Sequence, residues 1–207
     1  MEKKRNVQTI IIAVLAVAVL FMSVGFALFS QTLNINGNVQ VEPTKWSVHW
    51  DTTSYSVDSG SVPIYSGALT TDPQDNTKQI VDTSTSVGLT DTTVSFGAIL
   101  EKPGDYAKFT INAINDGDFD AKLTAITLSS LSAAQQNYLE YTVTYAGTAY
   151  TSSASGLNIS LPKTSGSNTV TVTVQVKYVT PEQASQLPTE AQIVNLTAAF
   201  DYQQVTA

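Results

Sequence analysis

The first thirty residues combine a basic start with a long apolar run. Three of the first five residues are basic, and the apolar run covers residues 9–29. This order is typical of a secretory signal peptide, in which small residues precede the cleavage point. Gly25 and Ala27 supply those small residues for cleavage before Leu28. The sequence therefore predicts a signal peptide over residues 1–27.

The same run is long enough to remain in a membrane. A helix needs about 20 apolar residues to cross a bilayer, and residues 7–29 contain no charged side chain. A retained transmembrane anchor is therefore the alternative to cleavage, and in that case these residues are the chain's contact with the membrane.

An alternation of apolar and polar positions comes after the run. One parity is apolar except at Gln31 and Gly37, and the other is polar, which is the pattern of a half-buried strand. Cleavage before Leu28 would make this strand, residues 28–41, the free N-terminus of the mature protein. It is either an edge strand of its own domain or a donor strand that completes a neighbour's sheet. The apolar face consists of Phe29, Leu33, Ile35, Val39 and Val41.

Period-2 patterns recur through residues 42–207 and predict a domain of short strands. The turn signals between them include Pro103-Gly104-Asp105 and Asn115-Asp116-Gly117-Asp118, which predicts a tight hairpin. The predicted buried faces are Trp46/Val48/Trp50, Phe109/Ile111/Ala113, Ala121/Leu123/Ala125, Tyr141/Val143/Tyr145, Val170/Val172/Val174/Val176/Tyr178 and Val194/Leu196/Ala198/Phe200/Tyr202.

Two short helices and one loop-rich region interrupt the strands. Ser132 with Gln135, and Thr180 with Gln183, have the spacing of helix-capping boxes. Residues 52–91 are rich in Thr, Ser, Asp and Gly, and we predict a loop-rich insertion there that carries one or two short strands. The predicted fold class is all-β, an antiparallel jelly roll or β-sandwich with two short helices behind an N-terminal hydrophobic helix.

The composition of the chain excludes cysteine chemistry and argues against nucleic-acid binding. The chain has no cysteine, so it has neither disulfides nor thiolate ligands. After residue 27 it keeps seven lysines against sixteen acids, a net charge of −9. Because such a surface repels phosphates, we expect no nucleic-acid partner.

Three short motifs resemble one family of exported bacterial proteins. Residues 25–30, Gly-Phe-Ala-Leu-Phe-Ser, resemble the end of the signal peptides in the TasA/camelysin system, which has a dedicated signal peptidase. Residues 100–123 are similar to the central motif of that family, and residues 187–203 resemble its C-terminal strand. The resemblance implies an exported jelly-roll domain that assembles into extracellular fibres by donating its N-terminal strand. It favours the donor-strand interpretation of residues 28–41.

Candidate enzymatic and metal sites are weaker. The camelysin branch carries a metallopeptidase label, but zinc proteases use several imidazoles or carboxylates, and His49 is the sole histidine. We expect His49 to be a strand side chain and the protein not to be an enzyme, with no cofactor. Asp116, Asp118 and Asp120 alternate like calcium ligands, but Ala121 stands where an EF-hand needs Gly. We expect three solvated acids, with a low-affinity calcium site as the alternative.

The sequence thus predicts a secreted structural subunit of a fibre, pilus or biofilm matrix at the cell surface. Its expected partners are other copies of itself, a signal peptidase and other matrix or surface proteins. The alternatives are a membrane-anchored adhesin or binding module and, less favoured, a camelysin-type metallopeptidase.

Overall fold

The computed structural model describes residues 15–16 and 44–205. Residues Pro43–Ala207 form one compact unit. The predicted cleavage site, Gly25, Ala27 and Leu28, lies outside the described residues. The predicted donor strand, with Phe29, Leu33, Ile35, Val39 and Val41, lies outside them as well.

The described residues form an all-β structure with antiparallel sheets, which confirms the predicted class. Within them there is no α-helix of seven or more residues. The strands are β1 Val48–Val57, β2 Ile64–Tyr65, β3 Leu69–Asp72, β4 Asp75–Val81, β5 Gly88–Leu89, β6 Val94–Ser95, β7 Gly97–Ala98, β8 Tyr106–Asn115, β9 Ala121–Leu128, β10 Leu139–Tyr145, β11 Thr148–Tyr150, β12 Ala154–Leu161, β13 Thr169–Tyr178 and β14 Ala198–Gln204.

Two sheets contain the long strands. The larger has five strands in the order β1-β8-β13-β10-β11, and the smaller has three in the order β12-β9-β14. Three two-stranded ribbons, β2-β7, β3-β4 and β5-β6, account for the remaining strands. Neighbouring strands in both large sheets run antiparallel, although most of them lie far apart in the sequence.

One hydrophobic core joins the inner faces of the two large sheets. In β8 and β13 every second side chain is buried along most of the strand, as the period of 2 predicts. Across the core, the Tyr145 ring lies 6.0 Å from the Phe200 ring, and Trp50 meets the same ring edge-on at 5.4 Å. The buried members are Phe109, Ile111, Leu123, Ile126, Leu128, Tyr141, Val143, Tyr145, Val172, Val174 and Val176.

The predicted hairpin at residues 115–118 is wrong. β8 belongs to the five-stranded sheet and β9 to the three-stranded sheet, so the connection turns a corner between sheets. Asn115 explains the difference, since its buried side-chain amide donates to the carbonyls of Phe119 and Leu161 at 2.9 Å each. These bonds direct the chain away from β8 before it can pair with that strand. We call residues 115–120 the corner.

Residues 52–91 contain more β-structure than the predicted loop-rich insertion. They contain the second half of β1, the strands β2 and β5, and the β3-β4 ribbon. Their Thr, Ser and Asp side chains suit exposed strands and turns; Asp72, Asp75 and Asp82 each accept a hydrogen bond from the backbone N–H two residues on.

The ends of the predicted strands also differ. Trp46 precedes β1, and Val194 and Leu196 precede β14, so the last predicted strand begins later, at Ala198. β12 lies outside the predicted strands, although Leu157, Ile159 and Leu161 alternate in it.

Both predicted helical interruptions are short 3₁₀ helices, Gln135–Asn137 and Ala184–Gln186. The first has the predicted capping box, because Gln135 N–H donates to Ser132 Oγ and Ser132 N–H donates to Gln135 Oε1. The second capping box lies three residues later than predicted, between Gln183 and Gln186.

Candidate functional site

A large apolar cleft opens over the inner face of the five-stranded sheet. Its volume is about 1320 Å³, which is larger than a typical pocket for a small molecule. Its floor consists of side chains from three neighbouring strands, β8, β13 and β10, and they are Phe109, Ile111, Ala113, Val172, Val174, Val176, Tyr178, Leu139 and Tyr141. These strands alternate, so one apolar side of each strand faces the cleft.

Two chain segments form the walls. Residues 91–101, which include β6 and β7, line one side, and residues 188–200 line the other. Three large apolar side chains of the lining are strongly exposed: Leu69 at 44%, Ile99 at 43% and Ile193 at 40%. Exposed apolar side chains that border a concave apolar surface indicate a binding region.

β14 lies at one edge of the three-stranded sheet and contributes to this cleft. Residues Ala198–Phe200 and Tyr202 belong to the lining, and β14 pairs with β9 on one side. In the part of the chain that the structure describes, no strand pairs with its other side. An unpaired edge presents a row of backbone N–H and C=O groups that can accept another strand.

Few charges border the cleft. Apart from tyrosines, the ionisable side chains of the lining are His49, Asp91, Glu101 and Glu190. Glu190 lies 3.8 Å from Lys78 of β4, which is outside the lining, and both of these side chains are well exposed. An exposed pair of this kind contributes about 0–1 kcal/mol. The cleft therefore offers apolar contact and backbone hydrogen bonding more than charge recognition.

Burial makes Tyr141 and Tyr202 harder to ionise than a free tyrosine. Burial raises the pKa of Tyr141, on the cleft floor, to about 12. Burial also raises the pKa of Tyr202, whose hydroxyl donates to the Tyr145 hydroxyl at 3.2 Å. The Tyr55 hydroxyl is buried without a hydrogen-bond partner among the described residues.

The carboxylates of the three candidate calcium ligands contact Lys45 or Lys163 rather than a shared centre. Asp116 lies 3.5 Å from Lys45 Nζ, and Asp118 accepts the Lys45 backbone N–H. Asp120 accepts the backbone N–H of Lys163 at 2.9 Å. No group of three or more His, Cys, Asp or Glu within the described residues is arranged to hold a metal ion.

His49 lies in β1, as expected. Its Nδ1 is 3.3 Å from Ser47 Oγ and 3.5 Å from the Asp116 carboxylate. The Ser47 hydroxyl, followed by the charges of His49 and Lys45, holds the pKa of Asp116 below its usual value. Lys45, His49 and Asp116 thus form a small network of ion pairs at the surface.

The sequence patterns identify the cleft floor as a core face but do not identify its rim. Leu69, Ile99 and Ile193 stand in short apolar stretches without alternation, and nothing in their spacing marks them as neighbours.

A helix with the length and apolar character needed to cross a bilayer is absent from residues 15–16 and 44–205.

No protein-family model matches the chain. No curated protein matches its sequence either.

Proposed function

We propose that this protein is an exported structural subunit that polymerises into extracellular fibres. The single observation that carries the proposal is the apolar cleft beside an edge of β14 that no strand within residues 44–205 pairs with. The subunit's own sequence contains a matching ligand, the alternating strand at residues 28–41. Insertion of that strand into the cleft of a neighbour links one copy to the next.

The chemistry of the two surfaces is complementary. The strand offers five apolar side chains on one face and backbone hydrogen-bonding groups along its edges. The cleft offers a floor of Val, Ile, Phe and Tyr side chains and the outer edge of β14, which is unpaired within the described residues. Addition of a strand to an exposed sheet edge obtains affinity from main-chain hydrogen bonds and specificity from alternate side chains.

We also propose that the domain is a jelly roll or β-sandwich and that the protein is secreted to the cell surface. The two large sheets that share one core fit a jelly roll or β-sandwich. The basic start, the apolar run and the small residues Gly25 and Ala27 support export and cleavage before Leu28. The resemblance of residues 25–30, 100–123 and 187–203 to the TasA/camelysin family supports the same function.

The test changes the strand and the cleft separately. Ile35→Asp places a charge on the apolar face of the strand, and Ile193→Asp places one on the exposed rim of the cleft. Val205→Asp is the matched control, because Val205 is 42% exposed and lies outside the cleft lining. We expect both test variants to remain soluble monomers without fibres in negative-stain images, and the control to form fibres.

A mixture of the Ile35→Asp and Ile193→Asp variants distinguishes the role of the strand from the role of the cleft. A strand variant retains a working cleft and a rim variant retains a working strand, so an equimolar mixture should form dimers but no long fibres. Fibres of normal length from either test variant alone would contradict the proposal. Recovery of an intact N-terminus in the membrane fraction, without fibres, would favour the anchored binding module instead.

A further inference from the structure

The corner holds the start of the described domain by reciprocal backbone contacts. Asp118 N–H donates to the Lys45 carbonyl at 2.8 Å, and Lys45 N–H donates to the Asp118 carboxylate. Asp116 N–H donates to the Ser47 carbonyl at 3.1 Å. Residues 45–47 are thus bonded to the corner by main-chain groups before β1 begins. We call this set of contacts the clasp.

Gly117 makes the close approach of the two segments sterically feasible. A Cβ at this position would lie 2.8 Å from both the Lys45 carbonyl oxygen and the Ser47 nitrogen. Real Cβ atoms do not approach backbone atoms so closely, so any larger residue would push the segments apart. Position 117 therefore needs a glycine, because residues 45–47 lie too close to it for a Cβ atom.

The corner itself is rigidly supported. Asn115 is completely buried, and its amide group donates to Phe119 and Leu161 while its carbonyl oxygen accepts Gly117 N–H at 3.2 Å. On the far side, Lys163 Nζ donates to the Asp118 carbonyl at 2.7 Å. Because the buried Asn115 side chain has all of these partners, displacing the corner would leave buried polar groups unsatisfied.

The clasp lies a few residues after the predicted donor strand in the sequence. Val41, the last apolar residue of the predicted donor strand, precedes Lys45 by four residues, so their Cα atoms are at most about 15 Å apart. Whatever holds Lys45 therefore limits where that strand can leave its own domain. We propose that Asp118 is a positioning residue that fixes the root of the N-terminal arm, residues 28–44, and so sets the geometry in which it reaches the next subunit. This inference rests on the proposed function.

The clasp also has the geometry to carry load. In a polymer linked by the arm, any pull on one subunit passes through residues 42–47 into the neighbouring domain. The bonds of Lys45 and Ser47 to the corner lie directly on that route.

The experiment compares Asp118→Ala with Asp118→Asn and Asp120→Ala in the full chain. Asp118→Ala removes the acceptor of Lys45 N–H, whereas Asp118→Asn retains an acceptor oxygen. Asp120→Ala removes the same charge from the same corner but loses only the bond from Lys163. Gly117→Ala is a second, independent way to open the clasp by steric displacement.

Amide hydrogen exchange at Lys45 is the first readout, because it reports the clasp without requiring assembly. We expect exchange to accelerate about tenfold or more in Asp118→Ala and Gly117→Ala and to remain near that of the unaltered chain in the other two variants. Fibre length is the second readout, with shorter fibres expected only from the two variants that open the clasp.

The two readouts also separate this inference from the proposed function. If the Lys45 amide exchanges at the same rate in Asp118→Ala as in the unaltered chain, Asp118 does not hold Lys45 and the proposed role of the clasp is wrong. Accelerated exchange with fibres as long as those of Asp120→Ala would overturn its positioning role. If the unaltered chain forms no fibres, the proposed function fails, and the exchange at Lys45 alone decides whether Asp118 fixes the root of the arm.

Discussion

Asn115 shows how one buried polar residue can decide a connection. It is the last residue of β8 and has no exposed surface, yet all of its side-chain hydrogen-bonding groups have partners. Its amide nitrogen provides two donors to two carbonyls, which a carboxylate cannot do. The backbone adds a further tie, since Asn115 N–H donates to the Asn168 carbonyl at 2.8 Å.

Asn115→Asp should therefore be strongly destabilising. The new carboxylate would place an oxygen against the carbonyls of Phe119 and Leu161, and we expect the free energy of unfolding to fall by about 3 kcal/mol or more. Asn112→Asp is the matched control on the opposite, accessible face of β8, where the side-chain oxygen accepts the Thr171 hydroxyl at 2.9 Å. Its effect should be within about 1 kcal/mol, because an aspartate retains that acceptor. Urea unfolding measures both, and equal losses would contradict the role of Asn115.

Among the elements, the wall of the cleft depends on a close crossing of two chain segments. Gly67 has a φ of +80°, and Gly97 of β7 approaches it so closely that a Cβ at Gly97 would lie 2.8 Å from the Gly67 Cα. The crossing brings β2 and β7 together and places residues 91–101 against the cleft. Bulkier residues would separate these segments, so the glycines help to shape the wall.

Gly67→Ala should lower stability more than Gly147→Ala does. Both positions have a φ near +80°, and each substitution costs about 1 kcal/mol for that backbone conformation. At Gly147 no atom lies within 4 Å of the added Cβ, whereas at Gly67 the added Cβ would overlap the Phe96 carbonyl oxygen. We expect an additional loss of about 1–3 kcal/mol at Gly67 from this overlap. Thermal unfolding of the two variants provides the comparison, and a smaller loss at Gly67 would be inconsistent with the crossing.

For the molecule as a unit, net charge opposes the proposed assembly. The part of the chain after residue 27 carries a net charge of −9, so neighbouring copies repel one another at neutral pH. The apolar contact in the cleft must overcome that repulsion. Salt shortens the range of the repulsion, to about 10 Å at 0.1 M ionic strength, and leaves apolar contact intact.

Fibre growth should accordingly accelerate with salt. Raising sodium chloride from about 10 mM to about 100 mM should increase the growth rate several-fold, because the Debye length falls from about 30 Å to about 10 Å. Light scattering of the purified subunit measures the rate, with negative-stain images to distinguish fibres from amorphous aggregate. Growth that slows with salt would instead indicate that opposite charges drive the association.

The alternation of side chains along the chain is sufficient to predict most of the long strands, most of the core and the all-β class, because period-2 burial is a local property of an extended chain. In β8, β10 and β13 it identifies Phe109, Tyr141 and Val174 as core positions. The separation of β8 and β9 into different sheets, and the meeting of residues 69, 99 and 193 at one rim, are visible only in the folded chain. Sheet membership and cleft shape depend on contacts between residues far apart in the sequence, which no local pattern encodes. Asn115 illustrates this dependence: its sequence context predicts a hairpin, and its bond to Leu161, 46 positions away, makes a corner.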